Sequence, residues 1–297
     1  MPATNDKHLT DTKAVVSRRV TYQNAIFKQR QNRQLRLALV FLAIPLVCFC
    51  LSLIYRPYAP DQMALADRFA RPTFNHWFGT DNYGRDIFTR VMSGLPLTLF
   101  ISLAINFIGC SLGLLMGGLA GYLAGPVDYV FSRIFDALLA IPAILMGMLF
   151  VASFGNGAWQ LVLALGIMFI PSYGRIVRSS FLEYRGKNFV KRLKLLGLSS
   201  SKIIFCQIFP LITDRLLSAL ALGFANAILA ESSLSFLGLG VPPDQITWGH
   251  MLKDAQGYVF QNPSAAIFPG LMIVLLVLGS FLLGQAFKVR AERGSSL

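Results

Sequence analysis

The chain has 297 residues, of which 55% are hydrophobic and only 14% are charged, and its formal net charge at pH 7 is +13. Soluble domains carry about a quarter charged residues, so this composition argues against a globular core in water and favours a membrane protein. The 4 cysteines show no CxxC spacing and there are only 3 histidines, which argues against disulfide and zinc scaffolds. In a membrane protein the basic surplus is mostly an orientation signal, so we expect no nucleic-acid partner.

Apolar stretches along the chain are long enough to cross a bilayer as helices. A hydrocarbon core about 30 Å thick needs roughly 20 helical residues, whereas the strands of a barrel would show shorter alternating segments. The sequence therefore predicts an all-α polytopic membrane protein with six transmembrane helices. The predicted spans are 37–55, 97–124, 134–154, 159–176, 216–239 and 266–287.

Basic residues are distributed unevenly between the segments that join the spans. Residues 1–36 and 174–208 each contain eight Lys or Arg, whereas residues 56–96 contain five and residues 240–265 contain one. Because Lys and Arg accumulate in cytoplasmic loops, we expect both termini in the cytoplasm. The predicted organisation is a cytoplasmic tail (1–36), a first helix with an external loop (37–96), a transmembrane domain (97–287) with a cytoplasmic loop (174–208), and a second tail (288–297).

The second predicted span carries a glycine at every fourth position. Small residues with this spacing share one helix face and let helix backbones approach closely in lipid. The pattern indicates a packing face and says little about chemistry. The residues of this face are Gly109, Gly113, Gly117, Gly121 and Gly125.

The cytoplasmic loop contains a short amphipathic helix. Phe189, Leu193 and Leu196 are spaced i, i+4, i+7 and make one narrow apolar stripe. Gly197 is expected to end this helix, and Pro210 marks the entry to the fifth span. From the residues alone, an interfacial helix on anionic lipid and a docking surface for a partner protein stay equally open. The basic residues pointing away from the stripe are Lys191, Arg192 and Lys194.

Glu231 is the only deeper carboxylate in the predicted spans. An isolated ionisable residue in a span is expensive and often functional, so Glu231 is a candidate for the wall of a pathway. The neighbouring Ser232, Ser233 and Ser235 equally favour a hydrogen-bonded role in helix packing.

Chemical sites of other kinds find little support. His76 and His250 lie far apart in sequence, each in a motif that contains a tryptophan, and such histidines are more often structural than metal ligands. No nucleophile, base and orienting group stand in a credible arrangement, so we expect no enzyme and no metal site. A secondary transporter would show paired ionisable residues near mid-membrane and inverted repeats, and the sequence shows neither.

Several short motifs along the chain are distinctive in their residue order as well as in their hydropathy. They read HWFGTD and GRD at 76–86, RxxD with a proline at 133–142, AESSLSFLGLG at 230–240, WGHML at 248–252 and FPG at 268–270. In this order they resemble the permease subunits of bacterial type I ABC importers, in the dipeptide, oligopeptide and nickel branch, over about residues 37–287. The residues that these blocks single out, in the external segments or near the pathway, are Asp81, Arg85, Asp86, Glu231 and Trp248.

The resemblance implies a division of labour among subunits. Such a permease does no bond chemistry and pairs with a second, homologous permease, two cytoplasmic ATP-binding subunits and an external solute-binding protein. We expect no cofactor on this chain, and ATP and Mg²⁺ on the partner subunits, because the chain contains no GxxxxGK[ST] loop. The implied function is import of peptides across the bacterial cytoplasmic membrane. Nickel or a metal chelate is the alternative substrate, and an ion-gradient-driven transporter is the rival mechanism.

By the same resemblance, the helix–glycine–helix loop docks on the ATP-binding subunits. The family usually reads Glu-Ala-Ala six residues before its glycine, whereas this chain has Lys191, Arg192 and Leu193 there. The usual acidic contact is absent, which implies a matching change in the partner ATPase or an unusual complex. The residues implied in docking are Phe189, Val190, Lys191, Arg192, Leu193, Leu196, Gly197 and Pro210.

Overall fold

The computed structural model describes residues 4–55 and 58–295, with side chains described for 29–55 and 58–291. The predicted tails include residues 1–3 and 296–297, and the predicted external loop includes 56–57, all of which lie outside the described residues. Within the described residues the chain is almost entirely helical, which confirms the predicted fold class. The α-helices are α1 (Thr4–Ile54), α2 (Ile87–Leu123), α3 (Gly125–Leu139), α4 (Ala143–Phe154), α5 (Ala158–Arg185), α6 (Asn188–Leu195), α7 (Ser200–Lys202), α8 (Phe209–Phe236), α9 (Trp248–Ala255) and α10 (Ser264–Ser295).

Among the described residues, five segments are long and apolar enough to cross a membrane, and α3 with α4 makes a sixth if the pair is one bent span. The predicted span over 134–154 is broken by a bend of 80° between α3 and α4. Pro142 stands at this break. A proline has no amide hydrogen to donate, and it disfavours helical backbone in the residue before it.

Other helices extend past the predicted spans. α2 begins at Ile87 rather than 97, and α5 continues to Arg185, so residues 174–185 are helical and not part of a loop. α8 is preceded by a π-helical turn, Ile203–Ile208. Hydropathy detects only the apolar part of a helix, whereas the polar residues at its ends continue the same backbone hydrogen bonding.

Helix packing divides the buried apolar side chains into three clusters. The first joins the start of α2 to α9 and α10, the second joins α5 to α6 and the start of α8, and the third lies between them. Large apolar side chains such as Phe107 and Leu115 remain exposed on the bundle surface. A surface of this kind suits lipid contact, since lipid tails are as apolar as the side chains.

Two regions at opposite ends of the bundle position the candidate site. The cap region comprises residues 58–86 and 240–263, from which α2 and α10 begin and into which α8 leads. The connection, residues 186–208, lies between the end of α5 and the start of α8. The cap region is the end at which α2 starts, and the connection is the end toward which α2 and α5 run.

Candidate functional site

The glycine face of α2 lies directly against α5. A Cβ atom added to Gly113 would stand 2.7 Å from the Cβ of Tyr173 and 2.8 Å from the carbonyl oxygen of Ile170. One added to Gly121 would stand 2.6 Å from the carbonyl oxygen of Arg178. Real Cβ atoms essentially never approach another heavy atom within 3.0 Å, so glycine is required at this helix separation.

The same face fixes the relative direction of the two helices. Gly109 meets Phe169 and Gly117 meets the backbone of Gly174, so positions rise together along α2 and α5, which therefore run parallel. Gly125 does not belong to this face. It lies beyond α2 with φ +61°, and an added Cβ would meet nothing within 4 Å. Its role is to let the backbone enter α3 in a left-handed conformation.

Asn106 joins three helices inside the bundle. Its side-chain amide donates to the carbonyl oxygen of Leu220 in α8 at 3.0 Å, and its Oδ1 accepts from the hydroxyl of Tyr173 in α5. Unpaired polar groups at this depth are costly, so the two bonds hold α2, α5 and α8 together. This junction was not predicted from the sequence, although Asn106 is a lone amide within a long apolar span, which is a usable signal.

A groove opens beside this junction, between the α3–α4 break, α5 and α8. Its larger part is a cavity of about 530 Å³. Ser172 and Asn226 contribute exposed polar side chains to a wall that is otherwise mainly apolar. The apolar part of the wall includes Leu139, Ile141, Met168, Phe169, Ile176 and Leu222.

A second cavity of about 330 Å³ continues this groove toward the connection. It shares Ile176, Ala219 and Leu222 with the first cavity, so the two form one feature, here called the α5–α8 groove. Its charged lining residues are Arg215 and Lys288. The groove therefore runs from an apolar middle to a basic end.

Ion pairs surround the basic end of the groove. Arg215 donates to Glu183 at 2.7 Å, Arg175 donates to Asp136 at 2.7 Å, and Arg178 is bonded to Asp128. Arg290 of α10 pairs with Asp214 of α8 at 3.3 Å. Exposed pairs stabilise a fold by less than about 1 kcal/mol each, so these pairs orient α3, α5, α8 and α10 more than they hold the bundle together.

Buried charges hold the cap region together. Asp81 accepts from the backbone amides of Tyr83 and Arg85 at 2.8 and 3.0 Å, and from Nε of Arg85 at 2.6 Å. Arg90 lies 4.0 Å from Asp81 and pairs with Asp61 at 2.9 Å. Asp81, Arg85 and Arg90 are buried, so these charges form a structural frame and do not face a pathway.

Asp86 starts α2. One of its oxygens accepts from the backbone amide and hydroxyl of Thr89 at 2.8 and 2.7 Å, and the other pairs with Nδ1 of His76 at 2.9 Å. A carboxylate at this position satisfies a free amide of the first turn and suits the positive end of the helix dipole. Asp86 thereby ties the segment that contains His76 to the start of α2.

Trp248 links the second segment of the cap region to α2. Its side chain has no exposed surface, and its Nε1 donates to the carbonyl oxygen of Val91 at 2.7 Å. Thr247 caps α9 by accepting from the amide of His250 at 3.3 Å. Trp248 therefore acts in packing and does not line a pathway.

Burial also shifts titratable groups of the cap region. Burial, with the nearby carboxylates of Asp81 and Asp254, raises the pKa of Tyr258 to about 12, so this phenol stays neutral. Burial lowers the pKa of His250, partly offset by Asp254, whose Oδ1 lies 3.5 Å from its Nε2. Neither group has the environment of a catalytic base.

Glu231 packs inside the bundle. Its side chain has no exposed surface and accepts from the hydroxyls of Ser235 at 2.8 Å and Ser232 at 3.1 Å. The pathway interpretation was wrong for this residue, because a fully covered carboxylate cannot contact a passing solute. The serine neighbours favoured the packing interpretation, and two of them, Ser232 and Ser235, donate to Glu231, whereas Ser233 donates to the carbonyl oxygen of Leu229.

The apolar residues of α6 do not share one face. Val190 has no exposed surface and Leu193 packs beside it, both in the cluster that contains Phe181. Leu196 and the neighbouring Leu195 are instead 76% and 88% exposed. The predicted stripe was therefore wrong at Leu193, since α6 turns that residue toward the bundle. Phe189, Lys191, Arg192 and Lys194 are exposed.

Gly197 ends α6 as predicted. Its φ is +79°, its amide donates to the carbonyl of Lys194 at 3.1 Å, and the amide of Leu198 donates to that of Leu193 at 3.2 Å. These two bonds make a Schellman motif, which requires a left-handed residue and brings Leu198 and Leu193 together. Pro210 lies in the first turn of α8, directly after the π-helical turn Ile203–Ile208.

Potential metal ligands are not clustered. Among residues 29–55 and 58–291, no group of three or more His, Cys, Asp or Glu is arranged to hold a metal ion. His76 is paired with Asp86, and His250 lies near Asp254. Both histidines serve the frame of the cap region.

More than half of the chain matches a known family. Residues 112–293 match the binding-protein-dependent transport system inner membrane component family. The chain belongs to this family. Its matched part includes the end of the glycine face, the α5–α8 groove, the connection and Glu231.

Curated relatives extend the match toward the N-terminus. The dipeptide transport system permease protein DppC of Alkalihalophilus pseudofirmus is 35% identical over 263 residues, which cover 87% of this chain and 86% of DppC. A Brucella abortus protein that carries the name of a peptide transport system permease is 35% identical over 258 residues and 87% of either chain.

Solved structures agree on the fold. A chain of the MetNI methionine ABC transporter, in an inward-facing native crystal form, aligns with a TM-score of 0.57 at 17% identity. The alignment covers 68% of this chain and 94% of the MetNI chain. A selenomethionine-soaked crystal form of the same transporter gives a TM-score of 0.56 at 18% identity, covering 68% of this chain and 95% of that one.

These matches establish the class of the protein. It is a multi-pass protein of the cytoplasmic membrane and the permease component of a type I ABC importer. Its relatives are permeases and not catalytic subunits, and the class works with ATPase and binding-protein partners in general. The ion-gradient-driven rival is therefore set aside.

Proposed function

We propose that this permease provides one wall of a pathway for peptides. The observation that carries the proposal is the α5–α8 groove, whose cavities of about 530 and 330 Å³ share three lining residues and open on the surface of a single chain. A second, homologous permease facing the groove would complete an enclosed pathway. The names of the relatives from Alkalihalophilus and Brucella support peptides as the substrate class.

The chemistry of the groove suits a peptide. Peptide amides and carbonyls need hydrogen-bond partners when they leave water, and Ser172 and Asn226 offer such partners within an apolar wall. At the basic end, Arg215 and Lys288 favour a carboxylate and oppose a free cation. The groove thus favours peptides over the nickel alternative.

The proposed orientation places the cap region outside the cell and the connection in the cytoplasm. Its support is the excess of Lys and Arg in residues 1–36 and 174–208. Single cysteines can test it in a chain whose four native cysteines are replaced. A membrane-impermeant maleimide should label Asp244→Cys in intact cells, and should label Lys187→Cys only after permeabilisation. External labelling at position 187 would contradict the orientation.

The proposed partners divide between the two ends of the bundle. Two ATP-binding subunits, which carry ATP and Mg²⁺, dock on the connection, and a solute-binding protein docks on the cap region. This chain itself holds no cofactor in the proposal. Val190 and Leu193 pack against α5 and the start of α8, so closure of the ATPase pair would move the two helices that form the groove.

Uptake by the complete transporter tests the proposal. Liposomes holding both permeases and both ATPases, with the binding protein outside and ATP inside, should accumulate labelled dipeptide. Asn226→Leu removes a hydrogen-bonding group from the groove and should slow uptake about two- to tenfold, the equivalent of one hydrogen bond. The exposed Leu229 lies on the same helix outside the groove, so Leu229→Ala is the matched control. Uptake of nickel without dipeptide, or dipeptide uptake in liposomes without the ATPases, would contradict the proposal.

A further inference from the structure

Phe74 stands on an exposed turn of the cap region. The residue is 96% exposed. The turn is closed by the amide of Thr73, which donates to the carbonyl of His76 at 2.8 Å, and by Oγ1 of Thr73, which accepts from the amide of His76 at 3.2 Å. Phe74 lines an open, shallow groove with Pro72, Thr73 and Trp77. A large aromatic side chain held in this way is covered by little of the described chain, so it is available to an apolar environment outside it.

The turn is anchored and cannot fold Phe74 inward. His76 pairs with Asp86 at 2.9 Å, and its ring stacks on Tyr58 with centroids 4.6 Å apart. Gly79 follows with φ +77°, in a conformation that other residues rarely adopt, and its position against Ala70 leaves no room for a side chain. The contacts of His76 and the backbone at Gly79 therefore keep Phe74 exposed.

The turn lies beside the lipid-facing end of α1. Trp77 stacks on Tyr55, with ring centroids 5.3 Å apart and planes 16° apart. Tyr55 directly follows Ile54, the last residue of α1, and Ile54 is 87% exposed on a helix that is long and apolar enough to span the membrane. Trp and Tyr are enriched at the level of the lipid headgroups. The exposed surface of the turn is thus continuous with the lipid-contacting surface of the first span.

We propose that residues 71–77 form an interfacial anchor that enters the headgroup layer of the adjacent leaflet. Phe74 reaches the acyl boundary, Trp77 and Tyr55 lie at headgroup level, and the exposed Arg71 contacts lipid phosphate. An aromatic residue beside a basic one suits an anionic phospholipid surface. The anchor would set the level of the cap region relative to the bilayer, and it holds whichever side of the membrane the cap region faces.

A nitroxide beside Phe74 can test the anchor without replacing it. The complete transporter carries a spin label at Asn75→Cys, after replacement of the native cysteines, in vesicles of phosphatidylethanolamine and phosphatidylglycerol. Collisions with oxygen, which partitions into lipid, are compared with collisions with a water-soluble nickel chelate. The oxygen-to-nickel ratio at position 75 should exceed several-fold the ratio of a label at Asp244→Cys, an exposed polar position of the cap region.

Variants at position 74 make the test specific. Phe74→Ser should lower the ratio at position 75 to that at position 244, whereas Phe74→Trp should retain it. Neither variant removes buried contacts, so the thermal unfolding of the complex should not change. Arg71→Gln, or vesicles without phosphatidylglycerol, should lower the ratio in part.

Three results would overturn the anchor. The first is a label at position 75 that is as accessible to the aqueous chelate as the label at 244 while Phe74 is in place. The second is a ratio that does not respond to Phe74→Ser. The third is a label that becomes shielded from both reagents only when the solute-binding protein is added, which would identify a protein-docking surface instead.

Discussion

The cap region and the connection lie at opposite ends of the same bundle and differ in what they bury. The cap region buries charged side chains, among them Asp81, Arg85 and Asp86, and gives each a partner. The connection buries Val190 and leaves Leu195 and Leu196 largely exposed. The buried charges of the cap region find their partners within the chain, whereas at the connection Leu195 and Leu196 are left uncovered by it.

The motif residues at the two ends of the bundle therefore have different roles. Asp81, Arg85 and Asp86 bond to one another's segments within the cap region and hold the start of α2 in place. The residues at the end of α6 make few such contacts within the chain, so we propose that they contact a partner protein. We therefore expect exposure, rather than residue type, to distinguish structural residues from docking residues in this permease.

The largest effect is expected from breaking the cap region. Asp81→Ala removes the acceptor of three hydrogen bonds and leaves Arg85 and Arg90 with less compensation for their burial. Loss of one partner of a buried ion pair typically costs about 3–5 kcal/mol. The purified transporter should unfold at a clearly lower temperature, whereas the exposed Asp244→Ala should match the wild type. Equal stability of the two variants would show that the frame is not needed.

The second-largest loss of stability is expected at the glycine face between α2 and α5. Gly117→Leu places a large side chain against the backbone of Gly174, where α2 and α5 touch. Overpacking typically costs about 1–3 kcal/mol, so the variant should be less stable or should fail to assemble. Leu115 is exposed on the same helix, and Leu115→Met should be tolerated. Similar thermal unfolding of both variants would contradict close packing at this face.

A third prediction concerns docking at the connection. Leu196→Asp should release the ATP-binding subunits during purification, because covering an exposed leucine contributes roughly 1.5–3 kcal/mol. Lys191→Ala should do much less, since an exposed ion pair contributes less than about 1 kcal/mol. Co-purification of the ATPase measures both, and unchanged membrane insertion is the control.

Leu193 and Leu196 should respond differently to the same substitution. Because Leu193 packs against the bundle, Leu193→Asp should lower the thermal stability of the permease, whereas Leu196→Asp should not. Retention of the ATPase by Leu196→Asp together with loss in Lys191→Ala would contradict apolar docking. It would favour the interfacial interpretation only if the basic residues also proved necessary for membrane contact of the loop.

The smallest effect is a pH dependence within the cap region. Burial lowers the pKa of His250, with Lys253, Arg90 and Arg85 adding to the effect and Asp254 opposing it. The unfolded chain then binds a proton more readily than the folded one, so stability should fall as the pH drops below about 6.5. His250→Gln should flatten that part of the curve of unfolding temperature against pH. A wild-type curve that rises on acidification would contradict the sign.

Local patterns in the sequence were sufficient for much of this protein. Spans, the glycine face and the helix stop at Gly197 follow from hydropathy, spacing and backbone freedom, which depend on residues near one another. A kink at Pro142 could be predicted from a proline within an apolar run, but the 80° angle of the bend could not. A proline removes one hydrogen bond, and only the packing of α3 and α4 on α5 determines how far the axis turns.

Other features depended on which helices meet. Hydropathy and residue spacing were enough to predict a multi-pass helical membrane protein with an amphipathic loop helix, because lipid demands long apolar helices whatever their partners. Three features became visible only in the tertiary structure. Glu231 is fully buried, Leu193 faces the bundle, and Asn106 of α2 accepts a hydrogen bond from Tyr173 of α5. In lipid, an apolar helix face can meet either another helix or acyl chains at similar cost, so hydrophobicity alone cannot assign the inward face. Close packing and paired polar groups make that choice, and they exist only once the helices are assembled.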